Sequence, residues 1–322
     1  MEKEMLYKSR SFSSCILAAY QLMSKNLWSL IKATWIPVLL WAVLVGVLLA
    51  LNLPNEEVVA MGTAHFALYI GFLVVCVLGA VVASIWALSR LMSVLNEESR
   101  RWNFGRALWL TLNSIVIFIV IFIVIGLVIV AVVYTMSRLG GARLAHLAGN
   151  HFWLFLASVA VAIFVLCLLL LPLEYVAMKY LNERGMRFWN DLLPTYRVGL
   201  RRVSFIFITC FISGLITLIL ASIVMLPYFI LTSAYYTSLM GYIMGDPSDL
   251  PGYFFVLFVL TTVVVYFLLW YVMSFSTIVM YFMYGSIEKR REEQRTARLE
   301  EQVPPALPTT EMTDIPPINL QS

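Results

Sequence analysis

The sequence predicts an all-α fold: a polytopic membrane helix bundle of six transmembrane helices, with amphipathic helices lying along one membrane face. Three observations carry that expectation. The 322 residues are 61% hydrophobic and only 12% charged, about half the charged fraction of an ordinary soluble domain. Six mostly apolar stretches each reach the roughly 20 residues needed to cross about 30 Å of hydrocarbon. Lys and Arg alternate between the connections, with twenty on one side of the membrane and two, Arg138 and Arg143, on the other. The positive-inside rule places the twenty in the cytoplasm, together with both termini. A missed or extra span would break the alternation.

Residues 1–32 form the first element, an amphipathic arm. Phe12, Ile16, Leu17, Tyr20, Leu27 and Leu30 recur at helical spacing around Gln21, Ser24 and Lys25, the pattern of a helix lying in the cytoplasmic interface. Basic residues interrupt this arm, and no secretory signal is expected in it. The six-span domain covers 33–285, with spans at about 33–53, 66–88, 108–134, 152–178, 203–231 and 253–285. The third is the most decisive. Seventeen of the nineteen residues from Ile115 to Val133 are Ile, Val, Phe or Leu, which favours insertion by about 5–10 kcal/mol. Its β-branched content suggests strand, but its length exceeds soluble strands, and a lone strand in lipid leaves its backbone unpaired. Trp28, Trp35, Trp86, Trp102, Trp109, Trp153 and Trp189 fall near span ends, where an amphipathic ring prefers to sit. Tyr235, Tyr236, Tyr242 and Tyr253 cluster in an outer loop expected at 232–253. Residues 286–322 are a charged helix over Glu288–Glu301, followed by a Pro-rich tail whose composition builds no core.

The arm recurs along the chain. Phe12, Leu17, Tyr20 and Lys25 correspond to Phe188, Leu193, Tyr196 and Arg201 at an offset of 176, and Leu95-Asn96-Glu97 to Leu181-Asn182-Glu183 at an offset of 86. The implied unit is an interfacial helix plus a helical hairpin, repeated three times in parallel. The plainer reading is that interfaces select the same residue types everywhere. Inverted repeats, common in alternating-access transporters, are not evident.

Candidate chemistry is sparse. Glu174, in span four, is the one ionisable residue well inside a span. Arg90, at similar depth on span two, is its expected partner in an intramembrane polar pair, and the structural reading of that pair outweighs a cavity-lining carboxylate. Gly79, Ala83 and Ala87 form a small-residue packing stripe that lets a neighbouring helix approach closely and suggests a central position for span two. His65, His146 and His151 match no metal spacing. The four cysteines include no C-x-x-C pair. Ser84, Ser213, Ser222 and Ser274 are expected to bond within their own helices. Pro37, Pro172 and Pro227 should loosen their helices. No catalytic residue, cofactor site, metal site or nucleic-acid partner is expected.

The Phe12–Leu30 arm, the six hydrophobic stretches and the closing Tyr281-x-x-Tyr284-Gly285-Ser286-Ile287-Glu288-Lys289 together resemble a family of bacterial six-helix membrane proteins. These are similar to the membrane domain attached to some glycerophosphodiester phosphodiesterases, and stand-alone members are frequent in Bacteroides relatives. The resemblance covers nearly the whole chain and rests on layout. It implies the fold and transfers no catalytic residues, since the phosphodiesterase chemistry belongs to a separate soluble domain. Some relatives carry a carotene-oxygenase label, but an all-histidine iron shell needs four histidines and this chain has three.

The expected role is therefore structural or accessory, in the cytoplasmic membrane. Membrane lipids, and a protein partner held through the cytoplasmic helices or tail, are the expected contacts. The runner-up is a transporter or channel for a small amphiphile, with Glu174, Thr261, Thr262 or Ser274 facing a polar cavity. An intramembrane enzyme comes third.

Overall fold

The computed structural model describes residues 6–54, 63–139, 166, 168–245 and 250–302, and all regular structure among them is helical. Among the described residues seven helices follow in order: α1 (Phe12–Leu51), α2 (Thr63–Asn96), α3 (Arg100–Leu139), α4 (168–182), α5 (Phe188–Arg201), α6 (Val203–Ile243) and α7 (Phe254–Gln302). Helices α1, α2, α3, α6 and α7 are long and apolar enough to cross a membrane. The expected fourth span, 152–178, lies largely outside the described residues, and its end at 168–178 is helical.

Helices α1 and α7 are the central pair: α1 packs on α7, α2 and α6, α7 packs also on α6, and α3 packs on α2. Among the described residues span two lies between α1 and α3 rather than at the centre. Gly79 faces Leu44 of α1 so closely that an added Cβ would lie 3.1 Å from its Cδ1. Ala83 and Ala87 on the same stripe are fully buried, and Ala87 packs with Val38 and Tyr271. The small-residue stripe therefore works as expected on one face of α2. The other faces carry Leu68, Val75 and Leu78, which stay open, so α2 flanks the bundle.

The core is uneven along the bundle. It is thickest at the end carrying the basic residues, hereafter the basic end. There Cys15 and Ala19 of α1, Leu91 and Leu95 of α2, Tyr175 of α4 and Tyr281 to Ile287 of α7 form one cluster. Towards mid-length the surface is broad and apolar: Phe122 is 74% exposed and Leu127 64%. Apolar faces of this extent are what a lipid-facing helix presents. Buried hydroxyls tie the centre together. Thr34 Oγ1 and Tyr271 Oη bond α1 to α7 at 3.2 Å, and Thr217 Oγ1 and Ser276 Oγ bond α6 to α7 at 2.7 Å.

Three boundaries differ from the sequence expectation. No break separates an arm at 1–32 from a span at 33–53, because α1 runs unbroken for 40 residues through Pro37. At 1.5 Å per residue it is about 60 Å long, twice the hydrocarbon thickness. Its buried face at the basic end is Cys15, Ala19, Leu22 and Leu30, whereas Phe12, Leu17, Tyr20 and Leu27 point outward. The small residues meet protein and the large amphipathic ones stay free for the interface. Second, the loop expected at 232–253 is helical as far as Ile243. Tyr235, Tyr236 and Tyr242 sit on α6, where Tyr235 stacks on Phe254 and donates to the carbonyl of Pro54, and Tyr253 lies in the turn before α7. Third, no break in the helix marks the expected end of the last span at 285: α7 continues as one helix to Gln302, and the charged helix expected over Glu288–Glu301 is its continuation. Residues 303–322 lie outside the described residues.

The repeat expectation meets mixed geometry. Leu95 and Leu181 are both about fully buried in the same cluster, each just ahead of a turn. The segment aligned with the N-terminal arm is a separate 14-residue helix, α5, which ends at Arg202 before α6 begins.

Candidate functional site

The polar side chains of the molecule converge at the basic end, around the last apolar turns of α7. The helix reaches this point with Tyr281, Tyr284, Ser286 and Glu288 on successive faces. Tyr281 Oη donates to the carbonyl of Leu95 at 3.0 Å, which satisfies an orphan acceptor at the end of α2. Tyr284 Oη donates to Glu183 Oε1 at 3.0 Å. Tyr175 Oη of α4 donates to Glu288 Oε1. Lys179 Nζ lies 2.9 Å from that same oxygen and 3.4 Å from Glu183 Oε1. The result is a five-residue clamp, Tyr175, Lys179, Glu183, Tyr284 and Glu288, that fixes α4 to α7. The Lys179 and Glu288 side chains are only 13% and 17% exposed. Their attraction is therefore less screened than in a surface pair.

The N-terminal segment closes the other side of the same turns. Ser286 Oγ accepts from the Arg10 amide and donates to the Arg10 carbonyl, both at 3.0 Å. Arg10 stacks over Phe282 at 5.0 Å and Arg290 over Phe205 at 4.8 Å. Gly285 is needed here, because a Cβ at that position would run into the backbone of Leu6. A second close crossing, at Gly199, would place a Cβ 2.9 Å from Pro172 Cβ, so α5 lies directly against α4.

The turn after α4 is held from α3. The Arg106 guanidinium donates to the carbonyls of Met186, Glu183 and Arg184 at 2.9, 3.0 and 2.6 Å. It lies 4.3 Å from the Tyr180 ring centre and 5.1 Å from that of Trp102. A cation at the carbonyl end of a helix is favoured by the helix dipole. Arg184 in turn pairs with Glu98. Trp28 with Lys32 and Trp86 with Arg90 add two more stacked tryptophan–cation pairs at this end.

Glu174 and Arg90 are not brought together. The Arg90 guanidinium lies over Trp86 at 5.8 Å, beside Ser89, Arg100 and Arg101. Glu174 lines a separate cavity of about 160 Å³ between α3 and α4, with Leu110, Ser114, Ile117 and Phe188. Equal depth on two helices does not make a pair when the side chains leave at different azimuths. Among the described residues Glu174 makes no ion pair or hydrogen bond. The serines behave as expected: Ser84, Ser213, Ser222 and Ser274 each donate to a carbonyl one turn back in their own helix. Thr262 does the same, buried, at 2.7 Å from the Phe258 carbonyl. Thr261 lines an apolar cleft with Pro227 and Leu260. His65 is exposed on α2, and His146 and His151 lie outside the described residues. No group of three or more metal-ligating side chains occurs among the described residues.

Next to the clamp, the end of α5 and the extension of α7 enclose an open cleft of about 510 Å³. Arg201, Glu288, Arg291, Glu292, Arg295 and Arg298 line it. Both carboxylates are already engaged, Glu288 by Lys179 and Glu292 by Lys289 at 2.9 Å. Glu292 holds the Lys289 ammonium above its ordinary range through that hydrogen bond. The only ion pair the cleft arginines make among the described residues is a loose one, Arg291 to Glu288 at 3.8 Å.

Sequence reading singled out Tyr281 to Lys289 only as a likeness in layout. The clamp was signalled by hydroxyl and carboxylate side chains placed one turn apart just where an apolar run ends. The chain matches no family model, no curated protein and no solved structure.

Proposed function

We propose that this protein is a non-catalytic structural or accessory component of the bacterial cytoplasmic membrane. In this reading six helices span the bilayer, both termini face the cytoplasm, and three parallel units of interfacial helix plus hairpin build the bundle. Kinship with the membrane domain of the glycerophosphodiester phosphodiesterases belongs to the same proposal. One observation carries it: a polar cluster at the basic end bonds to itself and locks α7, and α7 then runs on as helix from Arg291 to Gln302, exposed as far as Glu301. Those twelve residues extend about 18 Å past the clamp. A clamped helix projecting from a membrane bundle is a platform for a partner. The saturated hydroxyls and carboxylates of the clamp serve to position it.

Isolation from native membranes in mild detergent, with identification of bound proteins and lipids, tests this reading. A stoichiometric protein partner that is lost when residues 291–322 are removed is the expected result. A tightly retained small solute, with no protein partner, would overturn it.

A second reading, a transporter or channel for a small amphiphile, is favoured by Glu174 alone, as a carboxylate lining the cavity between α3 and α4. It expects solute flux in proteoliposomes that Glu174→Gln abolishes without loss of folded protein.

A further inference from the structure

We propose that the cleft between the end of α5 and the extension of α7 binds the phosphate group of an anionic membrane lipid. Arg291, Arg295 and Arg298 stand at i, i+4 and i+7 of α7 and therefore share one face. Arg201 closes the cleft from the last turn of α5. Guanidinium groups bind phosphate oxygens in a bidentate fork and are the preferred side chains for that chemistry. Two carboxylates also line the cleft, but each is engaged by a lysine, at 2.9 Å in both cases. The four guanidinium charges are thus left largely uncompensated in a space of about 510 Å³.

The position of the cleft selects a lipid over a free anion. Arg201 and Arg202 end α5, and the apolar helix α6 starts at Val203. The cleft therefore sits where the apolar belt gives way to charge, which is headgroup level. On α5 itself Trp189 and Leu193 are 56% and 65% exposed and offer an apolar surface to acyl chains. This inference rests on the accessory reading only in treating the basic end as the headgroup side.

The test is lipid binding by the full chain in nanodiscs, comparing phosphatidylcholine alone with phosphatidylcholine containing phosphatidylglycerol, and reading retained lipid by native mass spectrometry. The wild type should retain phosphatidylglycerol selectively. Arg295→Gln with Arg298→Gln should lower that retention at least tenfold. Arg100→Gln with Arg101→Gln removes the same charge elsewhere at the basic end and should lower it less than twofold. Arg295→Lys with Arg298→Lys keeps the charge and loses the fork, and should lose several-fold.

Equal losses in both glutamine pairs would reduce the site to general surface charge and overturn the proposal, as would full retention in the lysine pair. Competition by millimolar inorganic phosphate as strong as that by the lipid would assign the cleft to a free anion and overturn the lipid assignment. Co-purifying protein is scored on the same samples. A partner retained without lipid selectivity removes this site and leaves the accessory reading standing. Selective lipid without a partner supports the site and removes the platform role.

Discussion

The turns that follow α2 and α4 have nearly the same sequence, Leu95-Asn96-Glu97 and Leu181-Asn182-Glu183, yet they are locked by different means. The first is held mainly from within, with one added bond from Tyr281 of α7 to the Leu95 carbonyl. Asn103, fully buried, donates to Ser93 Oγ and Asn96 Oδ1 at 3.1 Å, and Asn96 donates back to Asn103 Oδ1 at 3.0 Å. Glu97 takes a left-handed backbone, φ 58°, to make the tight reversal. The second turn is held from outside. Arg106 supplies three hydrogen bonds to its carbonyls, Glu98 pairs with Arg184, and Tyr284 reaches Glu183. Asn190, which follows Trp189 as Asn103 follows Trp102, is exposed, and Asn182 Oδ1 is buried without a partner. The lesson is one of dependence. The first hairpin carries its own polar lock, to which α7 adds one bond, whereas the second takes its geometry from α3 and α7.

That asymmetry can be broken in graded steps. Arg106→Ala should cost the most, about 3 kcal/mol, since it removes charge-assisted bonds to three carbonyls at once. Thermal unfolding in detergent and loss of protease resistance around 183–187 measure it. Lysine at 106 should restore less than half, because a point charge cannot span three acceptors. Asn103→Ala should cost about 2 kcal/mol by leaving buried partners unpaired, and it should loosen the first turn without altering protection of the second. Glu98→Gln should cost at most about 1 kcal/mol, because Arg184 is 67% exposed and such pairs are screened by salt. The loss should fade above roughly 0.5 M salt. Asn182→Leu is expected to lie within about 0.5 kcal/mol of wild type or to stabilise, as it deletes an acceptor that nothing satisfies. A large loss there would show that the two turns are locked alike.

The helical membrane architecture was legible because it rests on one-dimensional quantities, namely run length and the placement of charge. The packing of Gly79, Ala83 and Ala87 was legible because small residues at helical spacing have one physical use. The Glu174–Arg90 pair was not, since depth along a helix can be counted from sequence but the azimuth of a side chain comes from packing. Arg106 escaped notice for a similar reason. Its acceptors are carbonyls about 80 residues away, and no spacing rule connects a basic residue to a distant turn. Tyr281 and Tyr284 entered the sequence reading only as part of a layout, whereas in the structure they are buried donors that finish α2 and α4. Only the convergence of those helix ends on one turn of α7 reveals the clamp.

The central claim is that the clamp makes α7 rigid past the apolar belt. Amide hydrogen exchange on the full chain in nanodiscs tests it most directly. The account predicts continuous protection from Tyr281 through Arg290 in the wild type. In Tyr284→Phe with Glu288→Gln that protection should drop at least tenfold from Gly285 onward, while α1 and α6 stay protected. Free exchange beyond Gly285 in the wild type, or unchanged protection in the double variant, would contradict it.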